Sequence, residues 1–435
     1  IANAQCMLGC MHRDGIGGPV DFAEARRLFG LSAALGHADA QETLGSMHFK
    51  GQGGPVDFAE ARRLFGLAAA QGDADAQCTL GSMHEKGHGG PEDLAEARRL
   101  FGLAAAQAHA NAQCSLGVLH CNGHGGPVNL AEARRLLGLA AGQGDASAQL
   151  SLGVLHRDGR GGPANLAEAR RLFGRAAKQG HASAQRCLGH MHRDGDGGPV
   201  DFAEARRLLG LAAGQGDAKA QYSLGGMHCN GQGGPVNLVE ARRLYVLAAE
   251  QGDAIAQCSL GCMHRNGQGG PTDFAEARRL FGLAAAQGDA IAQRRLGVMH
   301  RDGDGGPVDL AEARRLLGLA AEHGDAKAQY SLGGMHCTGD GGPVDLAEAR
   351  RLLGIAVAQG YPGAQVSLNI LDSFEETLRA KQHADADAMM VQLLAEDAQE
   401  KKAKGAPKST KSAKGKKVTM SCASAALPSA AISAA

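Results

Sequence analysis

Ten histidines recur at intervals of 36 residues, and imidazoles can bind metal ions or transfer protons. A metal ion shared between repeats would need ligand nitrogens about 2.1 Å from it, whereas equivalent atoms on packed helices lie ~8–10 Å apart. We therefore predict a structural role for these histidines. A local surface metal site built by Cys187, His190 and His192 is the weaker alternative. The ten histidines are His12, His48, His84, His120, His156, His192, His228, His264, His300 and His336.

The 11 cysteines could form disulfides, but their spacing argues against a disulfide framework. Cys78 and Cys114 occupy one position of adjacent repeats, which places them beyond disulfide reach. Cys6 and Cys10 lie one turn apart on a single helix, which is also a poor disulfide geometry. The pattern favours a reducing compartment. We expect the cytoplasm, with the nucleus as an alternative, or the endoplasmic reticulum lumen if a signal peptide precedes this chain.

Every repeat carries two consecutive arginines, such as Arg62 and Arg63, which could form a phosphate-binding stripe. Glu60 precedes Arg63 by three residues, a helical ion-pair spacing worth about 0.2–0.5 kcal/mol. A solvated helix face is therefore preferred to a phosphate site. The glycine-rich loops follow helices and lack the Lys-Ser/Thr of a phosphate-binding loop. Because catalysis needs one unique constellation, residues repeated ten times predict no enzymatic activity, no cofactor and no catalytic or metal site.

The elements that position these residues follow from the 36-residue repeat, in which the triplet GGP recurs ten times. In the unit 73–108, apolar residues at helical spacing predict a helix capped by Asp73 and ended by Gly87. A second helix begins at the capping box of Asp93 and Glu96, in which the glutamate reaches back to the cap. One helix pair cannot bury its apolar stripe alone and must stack on its neighbours. The predicted fold is all-α: an α–α superhelix, a right-handed α-solenoid of about ten 36-residue helix-turn-helix repeats.

The pattern AxAQxxLGxxH, xxGxGGP and D/NxxEARRLFGLAAxQG resembles the Sel-one-like repeat, a relative of the tetratricopeptide repeat. The resemblance covers residues 1–368 and implies an α-solenoid whose first helices line a concave surface. It also implies adaptor roles in signalling or protein quality control. Family members usually have Tyr at His84, an aliphatic residue at Gly90 and Trp at Leu100, departures that affect packing density. Because the family has Tyr there, the resemblance implies that His84 packs with a hydrogen bond to the adjacent turn. The matching positions in one unit are Ala76, Gln77, Leu80, Gly81, Gly87, Gly89, Asp93, Ala97, Ala104, Ala105 and Gln107.

The sequence predicts three segments. Residues 1–360 hold ten repeats, the first of them expected to be truncated because the chain starts inside a first helix. Residues 361–400 hold an eleventh, partial repeat and a C-terminal capping helix, which is expected to cover the last apolar face. The apolar residues assigned to that helix are Met389, Met390, Leu393 and Leu394. Residues 401–435 form a Lys-rich and then Ala/Ser-rich tail that is predicted to be disordered.

The tail supplies an alternative function, because it carries eight lysines and no acidic residue. It could give a nuclear or nucleic-acid-associated role, or it could act only as a solubilising extension. The lysines considered for nucleic-acid contact are Lys401, Lys402, Lys404, Lys416 and Lys417. The whole chain balances 45 basic against 45 acidic residues, which excludes a general polyanion binder. No apolar run is long enough to span a membrane.

The positions that differ most between repeats are those of residues 3, 6, 10 and 13, which share one face of the first helix. A rigid frame with an individually tailored face is how solenoids bind peptides or protein surfaces. We therefore predict a non-enzymatic protein–protein interaction scaffold or adaptor that binds a partner through its concave face. Sequence drift at exposed positions would give the same variation. The candidate partner-binding residues are Arg186, His190, Arg193, Lys219, Tyr222, Cys229, Arg265, Arg294, Arg301, Lys327, Tyr330 and Cys337.

Overall fold

The computed structural model describes residues 1–404, with side chains to residue 400. These residues form helices and turns without any strand. The chain divides into two compact units, Ile1–Val236 and Asn237–Ala435. Of the predicted tail, residues 401–404 continue the last helix, and the remainder lies outside the described residues.

Helices alternate along the chain, so that odd-numbered helices are the first and even-numbered helices the second of each repeat. In the first unit the helices are α1 (Ala2–Asp14), α2 (Phe22–Ala34), α3 (Ala38–Lys50), α4 (Phe58–Ala70), α5 (Ala74–Lys86), α6 (Leu94–Ala106), α7 (Ala110–Asn122), α8 (Leu130–Gly142), α9 (Ala146–Arg157), α10 (Leu166–Lys178), α11 (Ala182–Asp194), α12 (Phe202–Gly214) and α13 (Ala218–Asn230). In the second unit they are α14 (Leu238–Glu250), α15 (Ala254–Asn266), α16 (Phe274–Ala286), α17 (Ala290–Asp302), α18 (Leu310–Glu322), α19 (Ala326–Thr338), α20 (Leu346–Ala358) and α21 (Ala364–Lys404).

The helix ends follow the predicted caps. The Asp73 carboxylate accepts a hydrogen bond from the Ala76 amide at 2.7 Å, and Gly87 ends α5 in the left-handed region with φ 69°. At α6, Asp93 accepts from the Glu96 amide at 2.9 Å. The expected capping box also required Glu96 to reach back to Asp93. That part of the prediction is wrong, because the Glu96 carboxylate accepts hydrogen bonds from the Arg99 guanidinium at 2.7 and 2.8 Å.

The apolar core is a row of clusters, each shared by neighbouring helices. One cluster joins Phe65 of α4, Leu80 and Met83 of α5, and Leu100 of α6, all buried. A Cβ added to Gly81 would lie 3.0 Å from the Phe101 ring, so this glycine permits the close approach of α5 and α6. Because each cluster takes residues from two successive repeats, a single repeat has no core of its own. The predicted all-α solenoid of ten 36-residue repeats is confirmed.

The last helix, α21, covers the end of the repeats with its N-terminal part only. Ala364 and Leu371 are buried, and Leu371 packs against Leu353 of α20. All residues from 376 to 400 are exposed. The expectation that Met389, Met390, Leu393 and Leu394 cover the last apolar face is therefore wrong, since their exposed fractions are 56–61%.

Candidate interaction surface

Successive repeats are joined by an arginine that contacts a histidine 22 residues further along. Arg62 Nη2 lies 2.7 Å from His84 Nδ1, and Nη1 of the same arginine donates to the Pro91 carbonyl at 3.3 Å. Eight such pairs have Nη2–Nδ1 distances of 2.5–2.9 Å. A hydrogen bond from the side chain of His84 to the turn was expected, but its partner is the arginine of the preceding repeat.

This Arg–His contact requires a neutral imidazole, because a guanidinium has only donors and Nδ1 must accept. Burial, and then the positive charge of Arg62, lower the pKa of His84. Glu96 and Asp93 act in the opposite direction, and Arg99 adds to the lowering. The neutral imidazole that the junction needs is therefore favoured at His84.

The second arginine of each pair faces solvent, as the sequence predicts. Arg63 bonds both oxygens of the Glu60 carboxylate, at 2.6 and 2.8 Å, and this hydrogen bonding lowers the pKa of Glu60. The paired arginines thus have separate roles, because Arg62 joins two repeats and Arg63 forms a local ion pair. The paired arginines therefore do not form a stripe of uncompensated positive charge that could bind phosphate.

Glutamines form a second set of junction contacts. The buried Gln77 donates to the Ala69 carbonyl of the preceding repeat at 3.1 Å, and Gln107, which follows α6 of the same repeat, donates to Gln77 Oε1 at 3.0 Å. The equivalent Gln–Gln hydrogen bond is 2.7–3.0 Å long in seven repeats. Gln293 Oε1 is buried without a hydrogen-bond partner, because residue 323 is His rather than Gln.

The variable face of the first helices is continuous from one repeat to the next within each unit. On α11, Arg186 Nε lies 3.1 Å from the carboxylate of Asp217, the N-cap of α13. His190 Nε2 on α11 lies 2.9 Å from Ser223 Oγ on α13. The structure therefore brings predicted residues of neighbouring first helices into one surface.

All five candidate arginines on this face are neutralised by aspartates. The ion pairs are Arg186–Asp217 at 3.1 Å, Arg193–Asp194 at 2.8 Å, Arg265–Asp304 at 3.6 Å, Arg294–Asp325 at 2.9 Å and Arg301–Asp302 at 2.8 Å. Lys219 and Lys327 are exposed and form no ion pair with any residue that the structure describes. The net positive potential of the face is therefore smaller than the residue types suggest.

The aromatic and thiol candidates divide between surface and core. Tyr330 contacts Tyr361 with ring centroids 5.1 Å apart, while Tyr222 and Cys229 are partly exposed. Cys337 is buried at 6% exposure, packs in the cluster of Leu353, and burial raises its thiol pKa. A buried thiol cannot contact a partner, so the assignment of Cys337 to the interaction surface is corrected.

Sequence reasoning missed two further groups on the same face. Val118 of α7 and Leu150 and Val154 of α9 are partly buried apolar residues packed at the edge of the core. On α3, Glu42 has a raised pKa, caused first by burial and then by the nearby Asp73 and Asp75 carboxylates. Glu42, Val118, Leu150 and Val154 occupy the variable positions already identified, so comparing all ten copies would have found them.

The thiols and imidazoles on this face build no metal centre. Cys262 Sγ donates to the Cys258 carbonyl at 3.0 Å, and ten cysteines within residues 1–400 are free thiols. Hydrogen bonding with Cys258, aided by neighbouring arginines, lowers the pKa of Cys262 to about 7. His190 bonds Ser223, and no group of three or more metal-ligating side chains exists in the described part of the chain.

A row of helix pairs joined by Arg–His and glutamine contacts defines a helical-repeat protein. The family model for the Sel1 repeat matches ten consecutive segments: 2–37, 38–73, 74–109, 110–145, 146–181, 182–217, 218–253, 254–289, 290–325 and 326–361. The chain belongs to the Sel1 repeat family. Proteins of this kind generally mediate protein–protein interactions and are generally non-enzymatic scaffolds.

Two solved structures support the same fold. The protein c5321, a protective antigen of uropathogenic Escherichia coli with an SLR fold, is 27% identical, with a TM-score of 0.57 over 96% of this chain and 97% of that chain. A Sel1 repeat protein from Oxalobacter formigenes is 30% identical, with a TM-score of 0.55 over 70% of this chain and 88% of that one. No curated protein matches this chain in sequence. Among the described helices, none has the length and apolar character needed to cross a membrane.

Proposed function

We propose that this protein is a non-enzymatic scaffold or adaptor that binds a partner protein through the variable face of its first helices. The observation that carries the proposal is the division of roles within each repeat. Arginine, histidine and glutamine side chains are used in the junctions, as Arg62, His84 and Gln77 illustrate. The variable face takes no part in these repeated contacts, although Arg186 and Arg294 pair with aspartates of the next repeat, and its residues differ from one repeat to the next.

In the first unit this face favours a partner segment that carries a basic side chain. Glu42 is partly buried, accepts a hydrogen bond from Thr43 at 3.3 Å and forms no ion pair with a described residue. Burial, and then the nearby Asp73 and Asp75 carboxylates, raise the pKa of Glu42, although Thr43 and Lys50 act in the opposite direction. A lysine or arginine from a partner would oppose this rise, because an opposite charge favours the ionised form.

The apolar residues of α7 and α9 supply the second half of this recognition surface. Val118, Leu150 and Val154 lie on first helices two or three repeats beyond Glu42. Neighbouring helices pack ~8–10 Å apart, so Val118 lies about 16–20 Å from Glu42, and the pair Leu150 and Val154 lies about 24–30 Å from it. An extended chain spans the longer distance with roughly seven to nine residues at ~3.3 Å each. We propose an extended segment with a basic residue about eight positions from an apolar pair.

The test is a binding measurement with the full chain and fluorescent 12-residue peptides of that design. We expect Val154→Glu to weaken binding at least tenfold and Glu42→Gln to weaken it several-fold. Leu139→Glu, which changes an exposed leucine on the second helix α8, is the matched control and should bind normally. Circular dichroism verifies that the variants are folded. Equal affinity of Val154→Glu and Leu139→Glu, or equal binding of scrambled peptides, would refute the proposal.

The alternative of a nucleic-acid-associated role depends on Lys401, Lys402, Lys404, Lys416 and Lys417. Their side chains lie outside the described residues. No observation in the structure favours that function, and we do not propose it.

A further inference from the structure

The second unit holds two thiols on one helix, with an arginine of the next first helix close to them. Cys258 and Cys262 lie one turn apart on α15. Cys258 belongs to the buried cluster that contains Phe281, and Cys262 packs against that cluster while remaining partly exposed on the variable face. The guanidinium carbon of Arg295 on α17 lies 6.0 Å from the centroid of the Phe281 ring. The two thiols and the guanidinium therefore share one site at the edge of the core.

Arg295 is a partly buried cation that has no counter-ion among the described side chains. Its Nε atom is buried and lacks a hydrogen-bond partner. The other nine repeats have Ser, Thr, Met or Cys at this position, so the arginine occurs once in the ten copies. The positions of Cys262 and Arg295 are in contact two repeats earlier, where His190 Nε2 lies 2.9 Å from Ser223 Oγ. The repeat geometry therefore places Arg295 beside Cys262.

The surroundings of Cys262 favour its thiolate form. Hydrogen bonding with Cys258 has the largest effect and lowers the pKa of Cys262 to about 7, against the effect of burial. Among the charges, Arg295 contributes more than Arg265 and Arg294. Arg265 and Arg294 are already ion-paired with aspartates, so Arg295 is the cation that is left to balance a thiolate. In its thiol form, Cys262 donates to the Cys258 carbonyl at 3.0 Å, and ionisation gives up that bond.

We propose that Cys262 is a covalent modification site that forms a mixed disulfide with small anionic disulfides of the glutathione type. The Cys262 thiolate attacks one sulfur of the reagent, so that a new S–S bond forms to Cys262 while the reagent's own S–S bond breaks. The other half of the reagent leaves as a thiolate and takes a proton from water. Cys262 is thereby oxidised, and the reagent is reduced to one free thiol. Arg295 stabilises the attacking thiolate and attracts the carboxylates of the reagent.

The mixed disulfide is expected to persist, because Cys258 is poorly placed to displace it. Residues one turn apart on a helix have Cβ atoms about 5–6 Å apart, whereas a disulfide needs about 3.5–4.5 Å. Cys258 is also only 7% exposed, and hydrogen bonding with Cys262 and burial raise its pKa. The product is a bulky anionic group held on the variable face of α15.

The first repeat supplies a matched control in the same chain. Cys10 occupies the position of Cys262, and Cys6 precedes it by one turn. On the next first helix, Glu42 and Thr43 stand where the site of Cys262 has two arginines. Cys10 therefore belongs to the same kind of thiol pair without the neighbouring positive charge.

The expected rate advantage follows from the ionised fraction of the thiol. With a pKa of about 7, about half of Cys262 is thiolate at pH 7, against about 3% for a thiol with the ordinary pKa of ~8.5. A less basic thiolate is a weaker nucleophile, which reduces the net advantage to about three- to fourfold.

The test is treatment of the reduced full chain with oxidised glutathione at pH 7, followed by peptide mass spectrometry that gives the rate of adduct formation at each cysteine. Cys262 should be modified at least about threefold faster than Cys10. Cystamine, a cationic disulfide, should give a smaller ratio of the two rates. Equal rates at Cys262 and Cys10 with oxidised glutathione would overturn the proposal.

Two variants test the part assigned to Arg295. Arg295→Ser restores a residue type that other repeats have and should slow Cys262 to the rate of Cys10, whereas Arg295→Lys keeps the charge and should keep most of the advantage. Cys258 should stay unmodified in both variants, which verifies that the repeat remains folded. An unchanged Cys262 rate in Arg295→Ser would show that the arginine does not activate the thiol. None of these outcomes depends on whether the variable face binds a partner.

Discussion

Replacing His323 with glutamine should stabilise the second unit by completing a hydrogen bond that Gln293 lacks. In seven other repeats a glutamine donates through Nε2 to the buried glutamine Oε1 at 2.7–3.0 Å. His323 occupies the equivalent position at the end of α18, with φ −78° and ψ 5°. Gln287 has nearly the same backbone there, φ −86° and ψ 2°, so a glutamine at 323 needs no backbone change.

The magnitude follows from the environment of Gln293, which is only 4% exposed. A buried acceptor left unpaired costs about 1–3 kcal/mol, while a hydrogen bond contributes about 0.5–1.5 kcal/mol net. We expect His323→Gln to raise the free energy of unfolding by about 1 kcal/mol. For a cooperative unit of ~150–250 residues, this corresponds to a rise in Tm of about 2–4 °C. Urea denaturation should show a higher midpoint with an unchanged slope.

The reverse substitution is the matched control. Gln287→His removes the donor that lies 2.9 Å from Gln257 Oε1 and should lower stability by a similar amount. If neither His323→Gln nor Gln287→His changes the urea midpoint, the Gln–Gln hydrogen bonds contribute nothing to the free energy of unfolding. A fall in stability with His323→Gln would show that the glutamine side chain cannot reach Gln293.

Three further predictions concern local backbone and charge. Gly66→Ala should raise the melting temperature, because a Cβ at residue 66 meets no atom within 4 Å and a glycine inside a helix costs roughly 0.5–1 kcal/mol. Gly81→Ala should lower the melting temperature, because its Cβ would crowd the Phe101 ring. Ala108→Gly should stabilise by about 1 kcal/mol, since Ala108 has a φ of 63°, and an unchanged urea midpoint would contradict this. Lowering the pH from 7 to 5 should reduce the urea midpoint. The pKa values of His48, His84 and His120 are lower in the folded chain than the ordinary 6.5, so the stabilisation from their neutral imidazoles is complete above pH 6.5 and is lost as the pH falls below it. A flat midpoint across this range would be inconsistent with the Arg–His junctions.

The repeat architecture was predictable because its determinants are local. The period of 36 residues, the caps at Asp73 and Asp93, and the glycine stop at Gly87 each act within a few residues of chain. The buried stripe that includes Phe101 follows from helical spacing alone. The contacts between repeats could not be predicted in the same way. Arg62 and His84 are 22 residues apart, and helical spacing does not show which donor meets which acceptor.

The candidate surface was predictable in position but not in charge. Variation between copies grouped the candidate residues on one face of the first helices. It did not show that Arg186 and Arg294 are neutralised by Asp217 and Asp325, because those aspartates are also the N-caps of the next first helices. Nor does an amphipathic pattern specify which neighbour a helix meets. For that reason the apolar residues of α21 were assigned to the wrong surface.

The chain departs from the usual family pattern at His84 and at Gly90. Both departures are explained by the position of the Arg62 side chain. A Cβ at Gly90 would lie 2.4 Å from Arg62 Nη1, so an aliphatic side chain there would displace the guanidinium. His84 would then lose the donor that lies 2.7 Å away. At the end of the repeats Asp372 takes the histidine position and pairs with Arg350, so an acceptor still meets the arginine. Glycine and histidine at these positions therefore depend on each other, and changing either one alone should weaken the junction.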